Sequence, residues 1–280
     1  MADALMLPLK ISLGIFMAGN LLDMGLRVNP ADALRGLRNA RFAAYTLVWG
    51  FALGPAIAYA VTRMIPLEPN YATGLLLLGM TPCAPFLPAI VSKAKGDLGF
   101  TAAFMILASA GAVVFMPFAV PLMVEGLSVS ASAIARPLLA VVLLPMVIGM
   151  LILRASRALA SRLHPFVKAV TRIATAAVLV LCAVVYGREL LGVRGSLAVA
   201  SQVVFFSIVT LFPYWLGLGL GHDKKIVLSA GMATRNVGAA LAPLMAAEGT
   251  DQRAVVMVVL GFPIMVVFAW LATKWFKESS

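Results

Sequence analysis

The stretch GMATRNVGAAL, residues 231–241, sets Arg235 among small and apolar residues, with Thr234 and Asn236 beside it and Gly231 and Gly238 flanking the trio. A guanidinium is permanently protonated and presents a planar fork that matches a carboxylate. A fixed cation in an apolar segment is costly, and it marks a site for an anion or for a partner charge. A second stretch, Thr81-Pro82-Cys83-Ala84-Pro85-Phe86-Leu87-Pro88, holds three prolines within seven residues. Each proline removes a backbone donor and clashes with the preceding turn. The freed carbonyls then need partners inside protein or along a watery cavity. The two stretches nominate Thr81, Pro82, Cys83, Ala84, Pro85, Thr234, Arg235 and Asn236 as substrate-binding residues. Asp23, with Asn20 one turn earlier on the same face, is the acid expected inside a spanning segment. It is a candidate proton site, or an ion-pair partner that releases Arg235 when substrate arrives.

These residues need elements to hold them, and the composition says which. The chain has 280 residues, 62% hydrophobic and 12% charged, with a mean hydropathy of +1.01. A soluble domain carries about 25% charged residues, and a spanning helix needs about 20 mostly apolar ones. The expected fold is therefore all-α and polytopic. Nine spans are read at 5–26, 42–62, 71–92, 98–124, 134–153, 169–187, 196–220, 226–247 and 254–273, with short connections and one membrane domain over 1–280. The first apolar run follows Asp3 and is too long for a secretory signal.

The net charge of +11 is distributed between the apolar runs, which argues for topology and contact with anionic lipid and against nucleic acid. Odd-numbered connections carry Arg27, Arg35, Arg38, Arg41, Lys93, Lys95, Arg154, Arg157, Arg162, Lys168, Arg172, Lys224 and Lys225, and the tail carries Lys274 and Lys277. Even-numbered ones carry Arg63, Arg136, Arg188, Arg194 and Arg253. Positive connections stay in the cytoplasm, so the N-terminus is expected outside and the C-terminus inside, as suits a bacterial inner membrane. His164 and His222 are read in polar connections, and Cys83 and Cys182 inside apolar runs. No cofactor is expected. No paired aspartates, histidine cluster or Ser-His or Cys-His set falls in the spans, which argues against an intramembrane enzyme. A passive channel or uniporter is the competing class.

The broken stretches also resemble each other. GMTPCAPFLPAIVSKAKGD (79–97) and GMATRNVGAALAPLMAAEGTD (231–251) both open on Gly-Met, reach an Ala-x-Gly and end on an acid, with the Gly-Met pairs 152 residues apart. The preceding helices each carry a mid-span proline, Pro55 and Pro213. They lie on the third and eighth spans, which run in opposite directions. An inverted repeat is expected, 5–124 against 134–276, four helices against five, with the first half missing its opening helix. Broken helices at matching repeat positions mark substrate sites of many secondary transporters.

With these motifs and DMGLRVNPADA (23–33), nearly the whole chain resembles the bile acid:sodium symporter family. The resemblance implies a panel domain, a core domain with two crossing broken helices, and transport of organic anions such as bile acids or other carboxylates. The family's sodium ligands do not carry over. Its Glu and Gln of the second crossing helix fall at Ser229 and Ala233. Its Ser-Asn pair falls at Leu87 and Pro88, a Ser and a Thr at Thr101 and Met105, and a Gln at Gly50. Thr101 and Ser229 are the remaining sodium candidates, whereas sodium wants several hard oxygens. Sodium coupling is thus left without its usual side chains, and Arg235 is the cation that could stand in for the ion. The more distant arsenite-efflux permeases share a cysteine at the position of Cys83, fourteen residues before Asp97, but their glutamate falls at Ala239. Substrate identity, coupling ion and oligomeric state are not legible in the sequence.

Overall fold

The computed structural model describes residues 2–28, 30–124, 130–193, 195–247 and 249–278; Asn29 and Arg194, named above, lie outside them. The chain runs through α1 (Ala2–Gly25), α2 (Pro30–Leu37), α3 (Ala40–Met64), α4 (Pro69–Gly79), α5 (Leu87–Lys93), α6 (Leu98–Met123) and α7 (Ala131–Ala155). It continues through α8 (Arg157–Val185), α9 (Gly187–Gly192), α10 (Ala198–Trp215), α11 (His222–Ala233), α12 (Val237–Ala246) and α13 (Gln252–Glu278). Among the described residues, seven helices are long and apolar enough to cross a membrane. The two expected broken spans, α4 with α5 and α11 with α12, complete the nine.

Side chains mark several starts. Asn39 accepts from the Phe42 N–H, Asp97 from Gly99 and Phe100, Ser130 from Ala133, and Ser156 from Leu159. Each satisfies a donor that the first helical turn leaves free. Pro55 and Pro145 follow turns widened to five residues, where Gly54 donates to Trp49 and Leu144 to Leu139. The wider turn absorbs a proline without ending the helix.

Helix α1 lies along α8 and α7, and α7 packs in turn on α6 and α12. Helix α6 also meets α2, α3, α5 and α11, and α13 meets α4, α10 and α12. Two glycines bring α1 and α7 close: a methyl on Gly149 would stand 2.6 Å from the Leu22 carbonyl oxygen.

The odd-numbered connections gather on one face. Arg35 reaches Asp97, Arg41 donates to the Gly219 carbonyl, and Asp97 donates to Asp223 across their backbones. The even-numbered ones meet at the other, where Arg253 pairs with Glu68 and Asn70 donates to Asp251. The alternation of basic connections is thus an alternation of faces.

Two elements differ from expectation. Helix α8 begins at Arg157, about three turns before 169, so His164 belongs to a helix and not to a polar connection. The run RALASRLHPFVK is too polar to read as membrane-spanning, yet its residues favour a helix and Ser156 caps it. Helix α2 falls within the first connection and packs on α6, with Gly36 against Phe100 and Ala103.

Candidate functional site: the crossing of two broken helices

Helix α4 stops at Gly79 and α5 starts at Leu87; α11 stops at Ala233 and α12 starts at Val237. The two breaks cross and satisfy each other. The Cys83 N–H donates to the Thr234 carbonyl at 2.9 Å, and the Asn236 N–H to the Thr81 carbonyl at 2.9 Å. Between them Pro82 faces Arg235 in an isolated antiparallel bridge. In such a non-hydrogen-bonded pair neither residue donates across, so the missing N–H of Pro82 costs nothing. The Ala84 N–H donates to the Thr234 hydroxyl at 3.2 Å. Exchange by 153 residues, one more than the spacing of the Gly-Met pairs, carries the Cys83–Thr234 bond onto the Asn236–Thr81 bond, so the backbone contact is locally two-fold symmetric.

Of the three prolines, Pro82 and Pro85 sit in the break. Pro88 lies in the first turn of α5, where a missing donor is harmless. Cys83 takes a left-handed φ of 75°, which costs a non-glycine residue about 1–2 kcal/mol. The backbone bonds around it hold it there, and its thiol leans on the Ala84 carbonyl. Asn236 caps α12 by accepting from the Ala239 N–H at 3.1 Å.

A cavity of about 170 Å³ lies between α1 and α8 on one side and this crossing on the other. Phe16, Met17 and Asn20 of α1 and Thr175 of α8 form one wall; Ala84, Pro85, Phe86, Arg235 and Asn236 form the other. Beside it lies a second cavity of about 230 Å³, sharing Asn20, Pro85, Phe86 and Thr175 and lined further by Asp23, Arg27, Lys168 and Arg172. The pair forms an apolar chamber at the crossing with a cationic vestibule beside it.

Arg235 borders the chamber and is fully buried. Its guanidinium does not reach toward α1. It sits 4.9 Å over the Phe205 ring of α10, and Nη1 donates to the Gly79 carbonyl at 3.4 Å. Nε and Nη2 have no hydrogen-bond partner. Among the described residues no carboxylate pairs with it. The Gly79 carbonyl closes α4, so the guanidinium rests at the negative end of that half-helix. Arg235 thus lines the chamber while its guanidinium turns toward Phe205 and the Gly79 carbonyl.

Asp23 does not partner Arg235 either. Arg27 Nη2 meets its Oδ2 at 2.6 Å, and His164 Nε2 stands 3.1 Å from its Oδ1. Asp23 lies in the last turn of α1, one turn nearer the basic face than Asn20. Asn20 itself donates to the Phe16 carbonyl and lines both cavities. Sequence reasoning missed His164, Lys168, Arg172 and Thr175. Their three- and four-residue spacing is the signal that could have found them, a polar stripe on α8 matching Asn20, Asp23 and Arg27 on α1.

The Thr101 hydroxyl donates to the Asp97 carbonyl at 2.8 Å and the Ser229 hydroxyl to the Thr210 carbonyl. Both residues are buried, and neither lines the chamber. Among the described residues no group of three or more His, Cys, Asp or Glu is placed to hold a metal.

Residues 14–192 match the Sodium Bile acid symporter family. A probable chloroplastic sodium/metabolite cotransporter of Arabidopsis thaliana, BASS1, is 26% identical over 235 residues, covering 79% of this chain and 56% of its own length. A probable chloroplastic sodium/metabolite cotransporter of rice (Oryza sativa subsp. japonica), BASS2, is 24% identical over 271 residues, covering 92% of this chain and 62% of its own length. The chain thus spans about three fifths of the length of these relatives.

Proposed function

We propose, from the premise that this chain belongs to the sodium bile acid symporter family, that it is a secondary transporter of a small organic anion in which Arg235 takes the place of a bound sodium ion. The observation that carries this reading is the buried, carboxylate-free guanidinium at the end of α4, beside the chamber. A cation in a low-dielectric wall acts strongly on a neighbouring charge. The chamber therefore favours an anion whose apolar part meets Phe16, Met17 and Phe86. Arg27, Lys168 and Arg172 raise the local concentration of anions at the entrance.

Alternating access is the motion that this reading assigns to α1, α7 and α8. The α1, α7 and α8 layer would rock against the crossing, exposing the chamber first to one face and then to the other. The division into repeats 5–124 and 134–276 belongs to the same reading, supported by the helix break that each stretch carries shortly after its Gly-Met. With the basic connections in the cytoplasm, the vestibule faces inward, the N-terminus outward, and the membrane is a bacterial inner one.

The experiment is thermal unfolding of purified protein with a panel of small carboxylates and bile salts. A ligand at a hundredfold excess over Kd stabilises the fold by about 2.7 kcal/mol. Wild type gains stability with at least one anion, and Arg235→Ala loses that gain. An equal gain in Arg235→Ala overturns the assignment. A second reading, sodium-coupled symport with the ion held by carbonyls at the breaks, is favoured by the relatives' printed names. Potassium in place of sodium in the same assay separates the two.

A further inference from the structure

We propose that Asp23 and His164 form a proton-binding site at the edge of the substrate pathway, and that this proton is the coupling ion. Asp23 is 9% exposed. Its Oδ2 is committed to Arg27, while its Oδ1 and the His164 Nε2 stand 3.1 Å apart, both buried and neither with a hydrogen bond. The 3.1 Å approach sets an imidazole nitrogen against the carboxylate oxygen that Arg27 leaves free. A protonated ring gains an ion pair there that a neutral ring lacks. Imidazole is the side chain whose ordinary titration falls between about pH 5 and 8.

The charges around the pair give the proton a use. Arg27 already balances Asp23, so a neutral imidazole leaves the trio neutral and a protonated one leaves it at one positive charge. From α8, Lys168 and Arg172 line the same cavity. Of the other elements near α1, α7 carries Arg154 in its last turn, α5 carries Lys93, and α12 has no charged residue. The pair borders the vestibule through Asp23, and Asn20 connects that vestibule to the chamber. The proton comes from water in the vestibule and no covalent bond is broken. By reciprocity, an anion in the chamber favours the proton and the proton favours the anion, so the two cross together with no net charge. The coupling step rests on the anion-transport reading; proton binding itself does not.

The test needs no substrate. Proteoliposomes of the full chain on a solid-supported membrane receive a pH jump from about 8 to about 6, across the imidazole range, in a buffer free of organic anions. Wild type gives a transient charge displacement. His164→Gln and His164→Ala lose it, Asp23→Asn shrinks it, and His222→Gln keeps it, since His222 lies at the start of α11 against Tyr214. A silent wild type, or His164 variants with the full signal, overturns the proposal. Because no anion is present, this result is independent of whether the anion panel finds a ligand.

Discussion

Arg235 is among the largest fully buried side chains of the protein, and its charge has a carbonyl and an aromatic face for company where a carboxylate would be usual. A buried charge without a partner is a debt against stability. Arg235→Met keeps the bulk and removes the charge. Its thermal stability without ligand is expected to equal or exceed wild type, by up to about 1–4 kcal/mol, while its response to anions disappears. Such a trade of stability for function is common at sites that need strain. Arg235→Lys keeps the charge but not the flat stacking surface over Phe205, so it retains part of the response. That Arg235 falls at a break in a buried helix was legible in its neighbours, Thr234, Asn236 and two glycines. The direction of its side chain was not, because that depends on Phe205 and Gly79, thirty and 156 residues away in the chain. For the same reason Asp23 was matched with the wrong cation: Arg27, at i+4, was in view, whereas His164 becomes visible only once α8 is seen to begin at Arg157.

At the scale of elements, the breaks are held by their own backbone pairing and by one cap. Asn236→Ala removes the acceptor for the Ala239 N–H, and the expected cost is about 0.5–2 kcal/mol in thermal unfolding. Pro82→Ala is expected to change stability by less than that, because its position in the bridge uses no N–H. The first break was legible because prolines forbid a helix there whatever the surroundings. The second was legible from polarity alone. The long start of α8 was not: Pro165 and the charges around it read as a connection, yet the helix continues through them. Helix α2 was hidden likewise, since its eight residues are amphipathic and its partner is α6, far along the chain.

At the scale of the whole molecule, the chamber lies between α1 and α8 and the crossing, and the proposed motion requires that α1, α7 and α8 hold together. Gly25 and Gly149 let α1 and α7 touch through their backbones. Gly149→Ala places a methyl 2.6 Å from the Leu22 carbonyl oxygen and is expected to lower stability by about 1–3 kcal/mol, as overpacking does. The sorting of connections to two faces was legible in the basic residues, because each face collects alternate connections. The packing of α1 along α7 and α8 was not, since it joins helices more than a hundred residues apart in the chain. The central claim is that a resident arginine takes over the role of sodium. Its most direct test is wild-type thermal stability against the anion panel in sodium and then in potassium. Equal stabilisation in the two salts is predicted. Stabilisation that appears only with sodium would contradict it and restore the ion to the crossing.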